Sequence, residues 1–184
     1  MGRWASPELI LDALTGDGSA AERLIEAIWP GCFTFATAAI GDWNLAQDAT
    51  QETCIIVHRK IGTLRNIGAF DSWLYRILIR ECRRVRRRHA ASLQSIYAHV
   101  FGSDLTVTMD LWRALANLSP QLRDVTVLFY LDDLKSDEIA VILCIPHATV
   151  RSRLARAREH LRTLLDGYEG ELQPSHHEVR QHGF

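Results

Sequence analysis

The chain has 184 residues, a hydrophobic fraction of 47% and a formal net charge of −1. This length allows one medium domain or two small ones, and the apolar content excludes a chain that is disordered throughout. The sequence has no signal-peptide pattern and no apolar run of about 18 residues, so we expect a cytoplasmic protein without membrane insertion.

Apolar residues recur at helical spacing and strand signals are scarce, which predicts an all-α fold with two small helical domains joined by a flexible linker. The predicted organisation is an N-terminal lead over 1–19, a first domain over 20–89, the linker over 90–108, a second domain over 109–166 and a polar tail over 167–184. Although the net charge is close to zero, the sequence contains two basic stretches, one towards the end of each predicted domain.

In the first domain we expect a helix from Ala20, with Trp29-Pro30-Gly31 interrupting or restarting it, and a further helix from about Asn44 to Lys60. In that further helix, Asp48, Gln51 and Glu52 fall on a different face from the apolar stripe.

The last helix of this domain, expected to begin at a cap near Asp71 or Ser72, combines aromatic residues with a dense arginine run. Aromatic rings stack on unpaired bases and arginines hold a nucleic-acid backbone, so the segment predicts contact with a single-stranded nucleic acid. The alternative is that the aromatic residues are core and the arginines only solvate a helix end. The candidates are Phe70, Trp73, Tyr75, Arg76, Arg80, Arg83, Arg84, Arg86, Arg87 and Arg88.

The second domain has the layout of a helix-turn-helix. Ser119-Pro120 starts one helix, Ser136 is expected to cap a short one, and a break at residues 144–147 precedes a long helix from about Ala148. We expect Val150, Leu154, Ala157 and Leu161 to face inward. The outward candidates for DNA contact are Thr149, Ser152, Arg153 and Arg156; the alternative is an ordinary solvated helix.

Three segments together resemble the sigma-70 family, and in particular its extracytoplasmic-function (ECF) class. Residues 45–52, LAQDATQE, resemble the acidic helix of sigma region 2, and residues 70–77, FDSWLYRI, resemble the aromatic segment that follows it. Residues 118–120, 137–140 and 145–158 (LSP, DEIA and IPHATVRSRLARAR) are similar to region 4.

The resemblance implies a transcription initiation factor for RNA polymerase. By this resemblance Asp48, Gln51 and Glu52 would dock on the clamp helices of the largest polymerase subunit. The aromatic and arginine candidates would bind the melted minus-ten strand, and an anti-sigma factor would be a further partner. The implied minus-35 contacts are His147, Thr149, Arg151, Ser152, Arg153 and Arg156.

Three positions depart from the family pattern: Arg80 stands where asparagine is common, and Cys144 and Ala148 stand where glycine is usual. Arg80 therefore predicts a different minus-ten preference. Cys144 lies in the turn between the last two helices, where a left-handed backbone is uncommon for a residue other than glycine.

The main competing interpretation is a helix-turn-helix regulator that does not bind core polymerase. An enzyme is a distant third, because the sequence has no phosphate-binding loop, nucleophile elbow or HExxH motif. No cofactor or metal is expected, although His176, His177 and His182 in the tail could ligate a metal. The four cysteines are expected to be small buried hydrophobes in a reducing compartment.

Overall fold

The computed structural model describes residues 4–16, 18–89, 114–115 and 117–165, and this part of the chain contains helices and turns but no strand. The all-α prediction is confirmed. The predicted linker and the tail histidines lie outside the described residues. The principal helices are α1 (Pro7–Leu14), α2 (Gly18–Ile40), α3 (Trp43–Lys60), α4 (Phe70–Arg88), α5 (Pro120–Thr126), α6 (Ser136–Leu143) and α7 (His147–Leu165).

Helix α1 lies within the N-terminal lead, to which the sequence analysis assigned no helix. Ser6 caps it by accepting a hydrogen bond from the Leu9 N–H at 3.2 Å, and Pro7 occupies the first helical turn. This Ser-Pro start is the same signal that was recognised at Ser119-Pro120. Ile10 and Ala13 are buried, so α1 is part of the core of the first helical unit.

Helix α2 runs without a break through Pro30, so the predicted interruption is wrong. Trp4 packs directly on Gly31, where an added Cβ would lie 2.4 Å from a ring carbon of the indole. The ring also meets Tyr75 edge-on at a centroid distance of 5.1 Å. Burial of this aromatic pair offsets the low helix propensity of Pro30-Gly31.

Helices α2, α3 and α4 enclose the core of the first unit, with Leu24, Ile28, Val57 and Leu78 almost fully buried. Two short 3₁₀ turns, Ile61–Thr63 and Ile67–Ala69, connect α3 to α4. Helix α4 has no side-chain cap and begins at Phe70, which corrects the expected capping role of Asp71 or Ser72.

In the second unit a π-helical turn, Val127–Leu131, continues α5 and precedes α6. Ser136 is the first residue of α6 rather than its cap. The carboxylate of Glu138 instead accepts the Lys135 backbone N–H at 2.8 Å. The predicted inner stripe of α7 is confirmed: Val150, Leu154 and Ala157 are buried and Leu161 is half-buried.

The two helical units pack against each other through one continuous hydrophobic core. Helix α6 and the π turn lie against α4 and α2, and Leu128, Ile139 and Ile142 join the apolar cluster of the first unit. None of the described helices is long and apolar enough to cross a membrane. The packing brings the arginine-rich face of α4 next to the helix-turn-helix.

Candidate nucleic-acid and polymerase interfaces

The polar residues of α3 differ in their exposure and in their contacts. Asp42 caps the helix by accepting the Leu45 N–H at 2.8 Å. Asp48 and Gln51 are exposed, whereas Glu52 is half-buried and forms an ion pair with Arg84 at 3.2 Å. Asp48 and Gln51 are therefore available to a partner, and Glu52 is engaged with α4.

The aromatic candidates at the start of α4 are mostly core residues. Phe70 is 1% exposed and Tyr75 is fully buried, with the Tyr75 ring between Trp4 and Phe35. These positions correct the expectation that both rings stack on bases. Trp73 is half-buried beside Phe70, so it alone of the three aromatic side chains has a substantial accessible surface.

Four of the seven arginine candidates on α4 are bonded to other parts of the protein. Arg86 donates to the carbonyl oxygens of Ala39 and Ile40 at 3.2 and 2.9 Å, and so completes the C-terminus of α2. Arg84 contacts Glu81 as well as α3. Two others, Arg76 and Arg83, bind residues of the second unit.

The remaining arginines, Arg80, Arg87 and Arg88, are exposed. Arg80 lies 3.4 Å from Glu81, and its side chain is 59% exposed. The position that departs from the family pattern therefore remains accessible to a ligand. Sequence reasoning did not single out Glu81, although an acidic residue inside an arginine run is a signal for a buried ion-pair network.

Helix α7 presents a different environment. His147, Arg151, Ser152 and Arg156 are exposed, and Arg151 and Arg156 form no hydrogen bond or ion pair within the described ranges. Arg153 and Thr149 are half-buried at the edge of this face. The exposed face matches the helix that enters the major groove in a helix-turn-helix.

The turn before α7 is formed by a residue in the left-handed conformation and by backbone hydrogen bonds. Cys144 ends α6 in the left-handed region, with φ 53° and ψ 46°. The Ile145 N–H then donates to the Ala140 carbonyl at 3.1 Å, and the Val150 N–H donates to the Pro146 carbonyl at 3.2 Å. The helix-turn-helix geometry is thus retained without glycine, at the cost of a backbone conformation that L-residues disfavour.

Three of the four cysteines are buried, as expected, but Cys144 is exposed, so the prediction is wrong for that residue. Burial raises the pKa of Cys54 to about 11 and also raises the pKa values of Cys32 and Cys82. A buried thiol that stays protonated behaves as a small hydrophobe. No cluster of metal-binding side chains occurs among the residues that the structure describes.

Family comparisons identify both halves of the chain. The family described as "Sigma-70 region 2" matches residues 24–92, and the family described as "Sigma-70, region 4" matches residues 108–161. The ECF RNA polymerase sigma factor SigE of Mycolicibacterium smegmatis is 31% identical over 182 residues, covering 90% of this chain and 70% of that protein. This chain belongs to the ECF sigma factors.

Other relatives agree with this assignment. The ECF sigma factor SigM of Mycobacterium tuberculosis strain H37Rv is 30% identical, over 88% of this chain and 84% of its own. Among solved structures, CnrH in complex with the cytosolic domain of CnrY shares the fold with a TM-score of 0.67 and 24% identity, covering 88% of this chain and 97% of that one. The sigma factor RpoE of Bartonella quintana, solved with the anti-sigma factor NepR, gives a TM-score of 0.63 at 22% identity, covering 79% and 96%.

Proposed function

We propose that this ECF sigma factor binds core RNA polymerase through the exposed face of α3 and directs transcription from promoters read by α4 and α7. The observation that carries the proposal is the order of the two matched regions: region 2 supplies an exposed polar face and region 4 supplies an exposed arginine-bearing helix. The protein acts by binding rather than by catalysis, and we place it in the cytoplasm, where the polymerase is.

Docking on the polymerase clamp helices is assigned to Asp48 and Gln51. Both side chains are exposed one helical turn apart on α3. Exposed charges contribute little to the free energy of folding but set the specificity and rate of association. Glu52 has a supporting role, because its contact with Arg84 joins the docking helix to α4.

Minus-ten DNA binding is assigned to Trp73, Arg80, Arg87 and Arg88, which are at least partly accessible. Arg76 is also exposed, but its guanidinium is hydrogen-bonded to the second unit. One half-buried indole can stack on a base, and the three exposed guanidinium groups can neutralise phosphates. Arg80 is the candidate for sequence preference, because it occupies the position where the family commonly has asparagine.

Minus-35 DNA is assigned to the exposed face of α7. Ser152 and Arg156 point away from the inner stripe, and His147 and Arg151 flank the start of the helix. Arginine can form paired hydrogen bonds with guanine in the major groove, and serine can bond either bases or phosphates. Thr149 and Arg153, half-buried at the edge, have less accessible surface for the same contacts.

An anti-sigma factor is the proposed regulatory partner. Support comes from the solved relative RpoE, which is in complex with the anti-sigma factor NepR. The competing function, a helix-turn-helix regulator independent of polymerase, accounts for α7 but leaves the region 2 match and the exposed face of α3 without a role.

The decisive experiment measures binding of the full chain to core polymerase in the absence of DNA. We expect the parent protein to bind, and Asp48→Lys with Gln51→Ala to weaken binding by tenfold or more without changing the fold. Asp12→Lys is the matched control, because Asp12 is an exposed carboxylate on α1, outside the proposed interface. If the parent protein fails to bind core polymerase, the competing function, a helix-turn-helix regulator independent of polymerase, is favoured instead.

A further inference from the structure

Helix α4 and the end of α6 enclose a cavity of about 280 Å³. The α4 wall carries four arginines: Arg76, Arg80, Arg83 and Arg87. Their spacing of i, i+4, i+7 and i+11 puts them on one face of the helix. The α6 wall consists of Ile142, Leu143 and Cys144. Among the described residues that line the cavity none is acidic, so its lining has a strong positive charge.

Two of these arginines are held in place by the fold. Arg76 donates from Nε to the Ile142 carbonyl at 3.2 Å and from Nη2 to the Val141 carbonyl at 2.7 Å. Both carbonyls belong to the last turn of α6, where unpaired C=O groups favour a cation. Arg83 donates from Nε to Oδ2 of Asp124 at 2.8 Å. These bonds give the cavity a wall in which two guanidinium groups have fixed positions.

The other two arginines keep most of their hydrogen-bonding capacity. The Arg80 side chain is 59% exposed, and its contact with Glu81 is 3.4 Å long. Glu81 is bound more closely by Arg84. Arg87 is exposed and forms no hydrogen bond or ion pair within the described residues. Because a guanidinium group has five N–H donors, Arg80 and Arg87 bring unused donors to the cavity.

The charge around the cavity is unbalanced. Burial raises the pKa of Asp124, while Arg83, followed by Arg123 and Arg153, opposes that rise, so all three arginines lie near this carboxylate. The region therefore holds six arginines, namely the four of the cavity wall with Arg123 and Arg153, against the two carboxylates of Asp124 and Glu81. Charges that are partly buried are screened less than exposed ones, so an anion bound here would offset a real repulsion.

Spacing and size limit the kind of anion. Arg80 and Arg87 are seven residues apart, which is roughly 10 Å along a helix that rises about 1.5 Å per residue. A chain of linked phosphates can accept hydrogen bonds from both side chains, and guanidinium groups pair well with phosphate oxygens. The cavity is slightly smaller than the roughly 300 to 1,000 Å³ typical of drug-sized ligands, which favours a compact anion.

We propose that this cavity binds a small anion with two or three linked phosphate groups, held by Arg80 and Arg87 against the wall that Arg76 and Arg83 form. The recognised chemistry is the phosphate chain, whether free or attached to a nucleoside. The anion contacts α4 and the end of α6 together, whereas the assigned minus-ten contacts use α4 alone. Since Arg80 and Arg87 serve both ligands, the anion and minus-ten DNA compete for them.

Cys144 provides a native reporter for the cavity. Its thiol is exposed, whereas the other three cysteines are buried, so a neutral maleimide should react with Cys144 alone. The test follows this reaction in the full chain as inorganic triphosphate is added, at a constant ionic strength of roughly 0.15 M and without divalent cations. We expect at least fivefold slower reaction at saturation, with a half-effect below about 1 mM. Orthophosphate should be at least tenfold weaker.

Substitutions in the cavity wall test where the anion binds. Arg80→Gln and Arg87→Gln should each weaken triphosphate binding at least fivefold, and both residues are exposed, so the fold should be unchanged. Arg23→Gln is the matched control, because it removes the same charge from an exposed position on α2 outside the cavity. Isothermal titration calorimetry of the same variants gives a second measure of affinity that does not depend on the thiol.

A parallel titration with a nucleoside triphosphate identifies the source of the phosphate chain. Tighter binding than inorganic triphosphate indicates a nucleotide ligand, and equal or weaker binding indicates the free phosphate chain; both results support the site.

Three results would overturn the proposal. The first is a lack of both thiol protection and binding heat with triphosphate. The second is equal weakening by Arg23→Gln and by the cavity variants, which would indicate diffuse attraction to a basic surface. The third is protection of Cys144 by a single-stranded oligonucleotide but not by triphosphate, which would assign the cavity to DNA. The assay contains neither polymerase nor promoter, so its failure would leave the proposed function intact, and failure to bind polymerase would not affect this result.

Discussion

Helices α4 and α7 are both rich in arginine, but the structure uses their arginines in different ways. On α4, Arg84 pairs with Glu52 of α3, and Arg86 donates to carbonyl groups at the end of α2. On α7, Arg151 and Arg156 are exposed and form no ion pair within the described residues. The two helices therefore have a similar composition but different roles for their arginines. In α4 most of the arginines stabilise the fold, whereas in α7 the exposed arginines are free to bind DNA.

The difference comes from residues far away in the sequence. The partner of Arg83 is Asp124, 41 residues later, and the partners of Arg86 are carbonyl groups at the end of α2. Local spacing shows which face of a helix an arginine occupies but not which carboxylate or helix end will be packed against that face. Substitutions of arginine in α4 and in α7 should therefore have different effects, and the following predictions compare them.

The largest expected effect is on stability, from Arg84→Ala. This substitution leaves the buried carboxylate of Glu81, whose side chain is 6% exposed, with only the longer contact to Arg80. We expect the free energy of unfolding to fall by about 2 to 3 kcal/mol. Urea denaturation of the full chain measures the change.

The control for this prediction is Arg156→Ala on α7. Its side chain is exposed, so we expect a change of no more than about 0.5 kcal/mol in the free energy of unfolding. Equal losses for Arg84→Ala and Arg156→Ala would contradict the distinction between a structural and an open arginine helix.

The same Arg156→Ala substitution should have its main effect on DNA recognition. With holoenzyme and promoters altered one base pair at a time in the minus-35 region, we expect a loss of roughly 1 to 3 kcal/mol that is concentrated at one position. Arg162→Ala is the control, because Arg162 is paired with Glu159 near the end of α7. A uniform loss on all promoters would make Arg156 a phosphate contact instead of a base contact.

A third prediction uses the salt dependence of promoter binding to distinguish the arginines of α4 that contact phosphates from those that do not. Arg87 and Arg88 are exposed, so each neutralisation should flatten the slope of log affinity against log salt by about 0.7 to 0.9 when holoenzyme binds the promoter. Arg86→Gln should leave the slope unchanged, because Arg86 is hydrogen-bonded to the end of α2. Slopes equal to that of the parent protein for the Arg87 and Arg88 variants would show that these residues make no phosphate contact, and a flattened slope for Arg86→Gln would contradict its structural assignment.

The sequence was sufficient to predict the all-α class, the inner stripe of α7 and the family, because these follow from periodicity and from motifs that are local in the chain. It was less informative about the site. Tyr75 looks like a base-stacking residue in a motif, but its ring is buried between Trp4 and Phe35. Glu52 shares a spacing pattern with Asp48, but it faces Arg84. Each of these outcomes depends on tertiary partners that no local pattern contains.

The smallest expected effect tests a backbone difference between the two units. The first unit has glycine at Gly41, with φ 79°, whereas the second unit has Cys144 in the left-handed region at the end of α6. A left-handed conformation costs a non-glycine residue roughly 1 to 2 kcal/mol, and the greater flexibility of glycine in the unfolded chain offsets part of the gain from replacing it.

We therefore expect Cys144→Gly to raise the free energy of unfolding by about 0.5 to 1 kcal/mol, measured by urea denaturation under reducing conditions. Cys144→Ala separates the backbone from the thiol, because alanine keeps Cβ and removes the weak contact of Sγ with the Val141 carbonyl at 3.7 Å. If alanine stabilises the protein as much as glycine does, loss of the thiol is the cause and the left-handed strain is not. If only glycine stabilises it, the turn before α7 retains family geometry in spite of its residue, and the exposed face of α7 is positioned by Pro146 and the inner stripe.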